Sequence, residues 1–165
     1  MLFDIPRTRN SQRTRLRRIL RDQGFGRLQD SVWITPDSME EERRILGGSR
    51  VHVASLILLE ARPCAGESDT EMVASAWDFV DINRRYAQCL KILEARPVGS
   101  LRDERIARAL LRWAAIERET WLDAVGRDPL LPERLLPPGY LGQKAWRQRN
   151  EVLRKAGRQL PTFKV

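Results

Sequence analysis

Seven arginines and no acid lie between Arg7 and Arg21, a density of positive charge that can hold phosphate groups of nucleic acid or of a phosphorylated small molecule. Arg13, Arg17 and Arg21 are the candidates for such contacts, with a merely solvated helix face as the plainer alternative. Just ahead of them stands Asp4, with no further acid until Asp22. As a Mg²⁺ ligand it would serve phosphodiester chemistry, for which one carboxylate is thin support. As a turn or helix-start residue it accepts a backbone N–H ahead of Arg7. The one histidine, His52, has no nucleophile or ligand partner near it, and Cys64 and Cys89 lack metal-ligand spacing. Nothing here points to a His/Cys zinc site, a Gly-rich phosphate loop or a nucleophile–base pair, so no catalytic residue and no cofactor is expected. Trp77, Tyr86, Trp113 and Trp121 could line an aromatic pocket, or at helical spacing could form core. Glu117 falls inside an apolar stripe, where it pairs with a buried Arg, marks where that face returns to solvent or, as the least favoured reading, is a functional carboxylate.

These residues sit in a chain of 165, with 42% hydrophobic content, which is enough for one medium domain or two small ones. Thirty Lys and Arg against 22 Asp and Glu give a net charge of +8, and 26 of the thirty are Arg. Basicity favours phosphate-bearing partners, although an arginine-rich solvated surface gives the same count. The longest apolar run, Val51 to Leu59, is strand-length and interrupted by His52 and Ser55. No membrane association, no signal peptide and no disulfide are expected, so the reading is a soluble cytoplasmic protein.

The elements follow from periodicity. Leu2-Phe3-Asp4-Ile5-Pro6 is an apolar strand stub. A helix from about Ser11 to Gln23 carries Leu16, Ile19 and Leu20 on one face and stops at Gly24. Strands at Phe25–Leu28 and Ser31–Thr35 flank a Gln29-Asp30 turn. Asp37 or Ser38 opens a second helix with Glu40, Glu41 and Glu42 in its first turns, and Val51–Ala61 supplies the last strand. This β-α-β-β-α-β order gives an α+β chain whose residues 1–63 form a ferredoxin-like domain. The stub is short for a central strand, so the chain reads as starting part-way into a larger protein. The last strand is apolar on both faces. If Val32 and Ile34 meet the helices, Trp33 points the other way, towards a second domain or subunit, and a homodimer is expected.

Residues 70–165 read as helical. Asp78 looks like the N-cap of a helix with Phe79, Ile82, Tyr86, Cys89, Leu90 and Leu93 in one stripe. A further helix, Asp103–Leu122, aligns Ile106, Leu110, Trp113, Ala114 and Trp121. A proline-punctuated connector, expected to hold one turn capped by Asp128, leads to a basic closing helix at about Gln143–Arg158.

Leu2-Phe3-Asp4-Ile5-Pro6, Gly24-Phe25-Gly26, Ser31-Val32-Trp33-Ile34-Thr35-Pro36, Ala76-Trp77-Asp78 with Tyr86, and Arg127-Asp128-Pro129-Leu130-Leu131-Pro132 with Leu135-Leu136-Pro137 follow one another in the order of the PaaX family. The chain resembles these bacterial transcriptional repressors over nearly its whole length, with Tyr140 where the family would have Trp. The resemblance implies a winged-helix DNA reader, which would precede Asp4, then a ferredoxin-like and a helical domain. It also implies release of DNA on binding an aryl-CoA thioester, typically phenylacetyl-CoA. Trp33, Trp77, Arg84, Arg85 and Tyr86 are the residues that could bind such an effector. The first domain is also similar to the small dimeric nuclease-fold protein of CRISPR spacer acquisition, in which Asp4 would bind metal across a dimer axis. A third expectation is a headless interaction protein that pairs with full-length paralogues.

Overall fold

The structure, a computed structural model, describes residues 1–4, 10–36, 55–57, 59–61, 64, 66 and 68–157. The chain is mixed and mostly helical, with a small antiparallel sheet, and forms two compact units. One comprises Met1–Asp78 with Asp128–Pro137, the other Phe79–Arg127 with Pro138–Val165.

In the first unit, β1 (Leu2–Asp4), β2 (Gly26–Gln29), β3 (Val32–Ile34) and β4 (Ser55–Ile57) lie in the order β2-β3-β1-β4, and every neighbouring pair is antiparallel. The helix α1 (Asn10–Asp22) buries Leu16 and Leu20, as the i, i+4 spacing requires. Gly24 then takes φ +81°, a conformation that costs glycine nothing, and turns the chain into β2. The second helix expected after Pro36, and His52, lie outside the described residues.

The register decides which face of the sheet is covered. Leu2 stands opposite both Val32 and Ile57, so these three share a face. Leu2 and Ile57 are exposed and Val32 is half-buried. Trp33 alternates to the other face and is 1% exposed, among the most deeply buried side chains together with Leu16 and Leu20. This reverses the conditional expectation. Trp33 belongs to the core of its own unit and needs no second subunit to cover it, whereas Leu2, Val32 and Ile57 form the open face.

The helix α2 (Asp69–Ala76) begins at a reciprocal cap: the Glu71 N–H donates to the Ser68 hydroxyl, while the Ser68 N–H donates to the Glu71 carboxylate at 2.9 Å. Those hydrogen bonds hold the Glu71 carboxyl below its usual range. α2 packs beside β2, and the 3-10 turn Glu133–Leu135 packs against α2. The first compact unit thus runs on through α2 to Asp78, and residues 128–137 belong with the sheet. Asp128 does not cap the turn as expected. Its carboxylate accepts the Leu130 N–H at 3.0 Å and holds Leu130 at φ +50°.

The second unit consists of α3 (Phe79–Glu94), α4 (Glu104–Val125) and α5 (Gly142–Gly157). All six residues of the expected α3 stripe are buried. Asp103 caps α4 by accepting the Arg105 and Ile106 N–H groups. Asn83 fixes the entry to α5, donating to the Gly139 carbonyl at 3.2 Å and accepting the Leu141 N–H at 2.8 Å. Ala114, placed in the α4 stripe by spacing, is exposed.

Candidate functional site

The arginines of α1 divide by face. Arg17 donates to the Asp30 carboxylate at 3.1 Å and is largely buried, so it braces the β2–β3 turn. Arg13 is half-buried, while Arg21 is exposed. Arg15 and Arg18, one turn apart, instead line an open depression of about 560 Å³ with Asn10, Ser11 and Thr14. The 3.6-residue period could have separated Arg15 and Arg18 from Arg17, because only Arg17 follows directly on the buried Leu16.

Of the candidate effector residues, Trp33 and Tyr86 are core, at 1% and 2% exposed. The Trp77 indole N–H donates to the Gly24 carbonyl at 3.2 Å, and its ring lies so close to Gly26 that a Cβ there would come within 2.6 Å of it. The motif segments Gly24-Phe25-Gly26 and Ala76-Trp77-Asp78, more than 50 residues apart, thus meet in one contact. Glycine at 26 is required by that contact rather than by backbone torsion.

Arg84 and Arg85 are brought together in the second unit. Both pair with Asp81, and Arg85 also pairs with Asp123 across to α4. The two donors hold the Asp81 carboxyl below its usual range. Arg84, Arg85 and Asp123, with Gln88 and Thr120, line a cavity of about 340 Å³ between α3 and α4. Two carboxylates there hold N–H groups of the two arginines, so the charges at this cavity largely offset one another.

Behind that cavity lies an aromatic core. Tyr86 packs against Trp121 and Tyr140 at 5.9 Å between ring centroids in each case, and Phe79 meets Tyr140 at 6.2 Å. The Trp113 indole donates to the Ile92 carbonyl at 2.7 Å. Glu117 takes the first of its three expected fates: its buried carboxylate accepts the Arg149 Nε–H at 2.6 Å, and the Arg149 guanidinium lies 4.7 Å over the Trp121 ring. Burial pushes the Cys89 thiol up to about 11, with the Glu117 charge adding to it, so Cys89 is no nucleophile at neutral pH.

Asp4 pairs through its backbone register with Ser55, while its side chain lies outside the described residues. Among the described residues no three His, Cys, Asp or Glu side chains gather as a metal site, and no helix is long and apolar enough to cross a membrane.

No curated protein matches the chain. Residues 1–73 match the family model described as the PaaX protein central Cas2-like domain, the span that contains the four-stranded sheet and the Gly24–Gly26 segment. The match takes in the motif segments Leu2–Pro6, Gly24–Gly26 and Ser31–Pro36, and residues 1–73 of this chain are similar to a PaaX-type central Cas2-like domain.

Proposed function

We propose that the chain is the dimerising and effector-sensing body of a PaaX-type transcriptional repressor, acting in the cytoplasm and not as an enzyme. The observation that carries this reading is the family match over residues 1–73. The strand order β2-β3-β1-β4 supports it, because that is the order of a ferredoxin-like β-α-β-β-α-β sheet.

The effector class is an aryl-CoA thioester such as phenylacetyl-CoA. Arg84 and Arg85 are its phosphate-binding groups, with Tyr86 packed in the core of the same unit, while Trp33 and Trp77 are packing residues of the first unit. The effector shifts a population: it must bind one state of the protein more tightly than another to weaken DNA binding. Calorimetry is expected to show phenylacetyl-CoA binding more tightly than free CoA or phenylacetate. Arg84→Gln combined with Arg85→Gln is expected to weaken both CoA ligands by about tenfold or more while leaving the circular dichroism spectrum unchanged. Equal affinity for CoA and its thioester removes the effector reading.

The dimer forms through the open face of the sheet. Leu2 and Ile57 are 36% and 50% exposed and share that face with the half-buried Val32, an apolar surface that a second copy can cover. Light scattering at micromolar concentration should report a dimer, and Ile57→Glu should shift it to monomer by placing a charge in the seam. A wild-type monomer at that concentration overturns this part of the reading.

A further inference from the structure

The surplus positive charge of this protein is confined to its second unit. Residues 79–127 and 138–165 hold 17 Lys and Arg against 8 Asp and Glu, whereas residues 1–78 and 128–137 hold 13 against 14. The arginine-dense α1 therefore sits in a unit with no net positive charge, and its Arg17 is committed to Asp30. α5 is different. Lys144, Arg147 and Arg154 recur at i, i+3 and i+10, all exposed; among the described residues none is in a salt bridge, and Arg154 alone has an acid near it, Glu151 three residues back. At 1.5 Å per residue they span about 15 Å, the reach of several phosphates along one DNA strand. Glu151 lies in the same stripe but is bound to Lys155 at 2.9 Å.

Beside this stripe the helix exposes Gln143 and Asn150, and beyond them Trp146. That indole is 54% exposed on a helix otherwise dominated by polar groups, and it is held in place by Trp121 at 5.6 Å between ring centroids. Its position is fixed before any partner arrives, so contact with it costs little side-chain entropy. A row of exposed cations, two amide donors and a pre-positioned aromatic plate complement a sugar–phosphate backbone. They oppose a second copy of the same face, which would set like charges together.

We propose that α5 binds the backbone of duplex DNA, with Lys144, Arg147 and Arg154 on phosphates, Gln143 and Asn150 donating beside them, and Trp146 against the deoxyribose. The choice of DNA as the polyanion rests on the regulator reading. The contact itself carries no sequence information, so it positions and strengthens a complex without selecting an operator.

The test is fluorescence anisotropy of a labelled 30-base-pair duplex of arbitrary sequence, titrated with the full chain at two salt concentrations. Replacing Lys144, Arg147 and Arg154 together with Gln is expected to weaken binding by at least about tenfold and to lower the slope of log affinity against log salt by about 3. Trp146→Ala should weaken binding with the slope unchanged, because it removes an uncharged contact. Arg15→Gln with Arg18→Gln on α1 should leave both quantities as they are. Loss of binding in the α1 variant with none in the α5 variant overturns the proposal, as does a wild-type chain that fails to bind the duplex at all. Aryl-CoA binding by calorimetry, read on the same preparation, shows separately whether the regulator reading stands.

Discussion

Arg149→Ala is expected to destabilise the helical unit by about 3–5 kcal/mol, with Glu117→Ala costing less. The Glu117 side chain is 7% exposed and that of Arg149 is 19% exposed. Removing Arg149 strands a carboxylate that cannot reach water, while removing Glu117 leaves a guanidinium already at the edge of solvent. Arg149→Ala also removes the stacking over Trp121, a contribution of about 0.5–2 kcal/mol. Neither number measures what the pair gives to the native state, because each single variant reports the cost of an orphaned charge. Glu117→Leu with Arg149→Met should therefore recover most of the loss, the desolvation of both ions having been avoided. Urea denaturation of the four proteins, followed by tryptophan fluorescence, ranks them. Single variants within about 0.5 kcal/mol of wild type would mean that the pair is solvated.

The same pair shows where sequence reading stops. The α3 stripe was legible to the residue because burial on an isolated amphipathic helix depends only on its own period. Glu117 was legible as an anomaly in such a stripe, but its partner lies 32 residues away on another helix, and no local pattern names it. The Ser68–Glu71 cap carries a local signature that spacing could have revealed. Its neighbourhood reads as linker because Pro63 and Gly66 stand just ahead of it. What binds α2 to the sheet is the Trp77 ring on Gly26, a contact made across 51 residues that no local pattern names. As for the candidate site, Arg84 and Arg85 could be found as a charged pair on a helix. That Asp81 and Asp123 nearly neutralise them required the structure.

Alternation gives a strand two faces without saying which one is covered, and Trp33 is where that ambiguity has the largest energetic consequence. Trp33→Ala is expected to cost about 3–5 kcal/mol, enough to unfold a small sheet-bearing unit or leave it marginal. The ring fills the centre of the covered face with Leu16 and Leu20, and no side chain of β3 can move into the space it leaves, since Val32 and Ile34 point the other way. The indole has a second property: its Nε1–H is buried with no hydrogen-bond partner among the described residues. An unmade hydrogen bond of that kind costs about 1–3 kcal/mol, so Trp33→Phe removes a liability together with some volume. The expected order is wild type close to Trp33→Phe, and both far above Trp33→Ala, read as midpoints of thermal or urea unfolding by circular dichroism. The order also separates two roles for this side chain. A Trp33 turned towards a partner subunit would leave the folding midpoint of Trp33→Ala within about 1 kcal/mol of wild type and lower only the dimer fraction. A Trp33 in the core lowers the midpoint whether or not the protein is dimeric. Its burial and the register of Leu2 against Val32 and Ile57 place it in the core, on the face opposite those three residues.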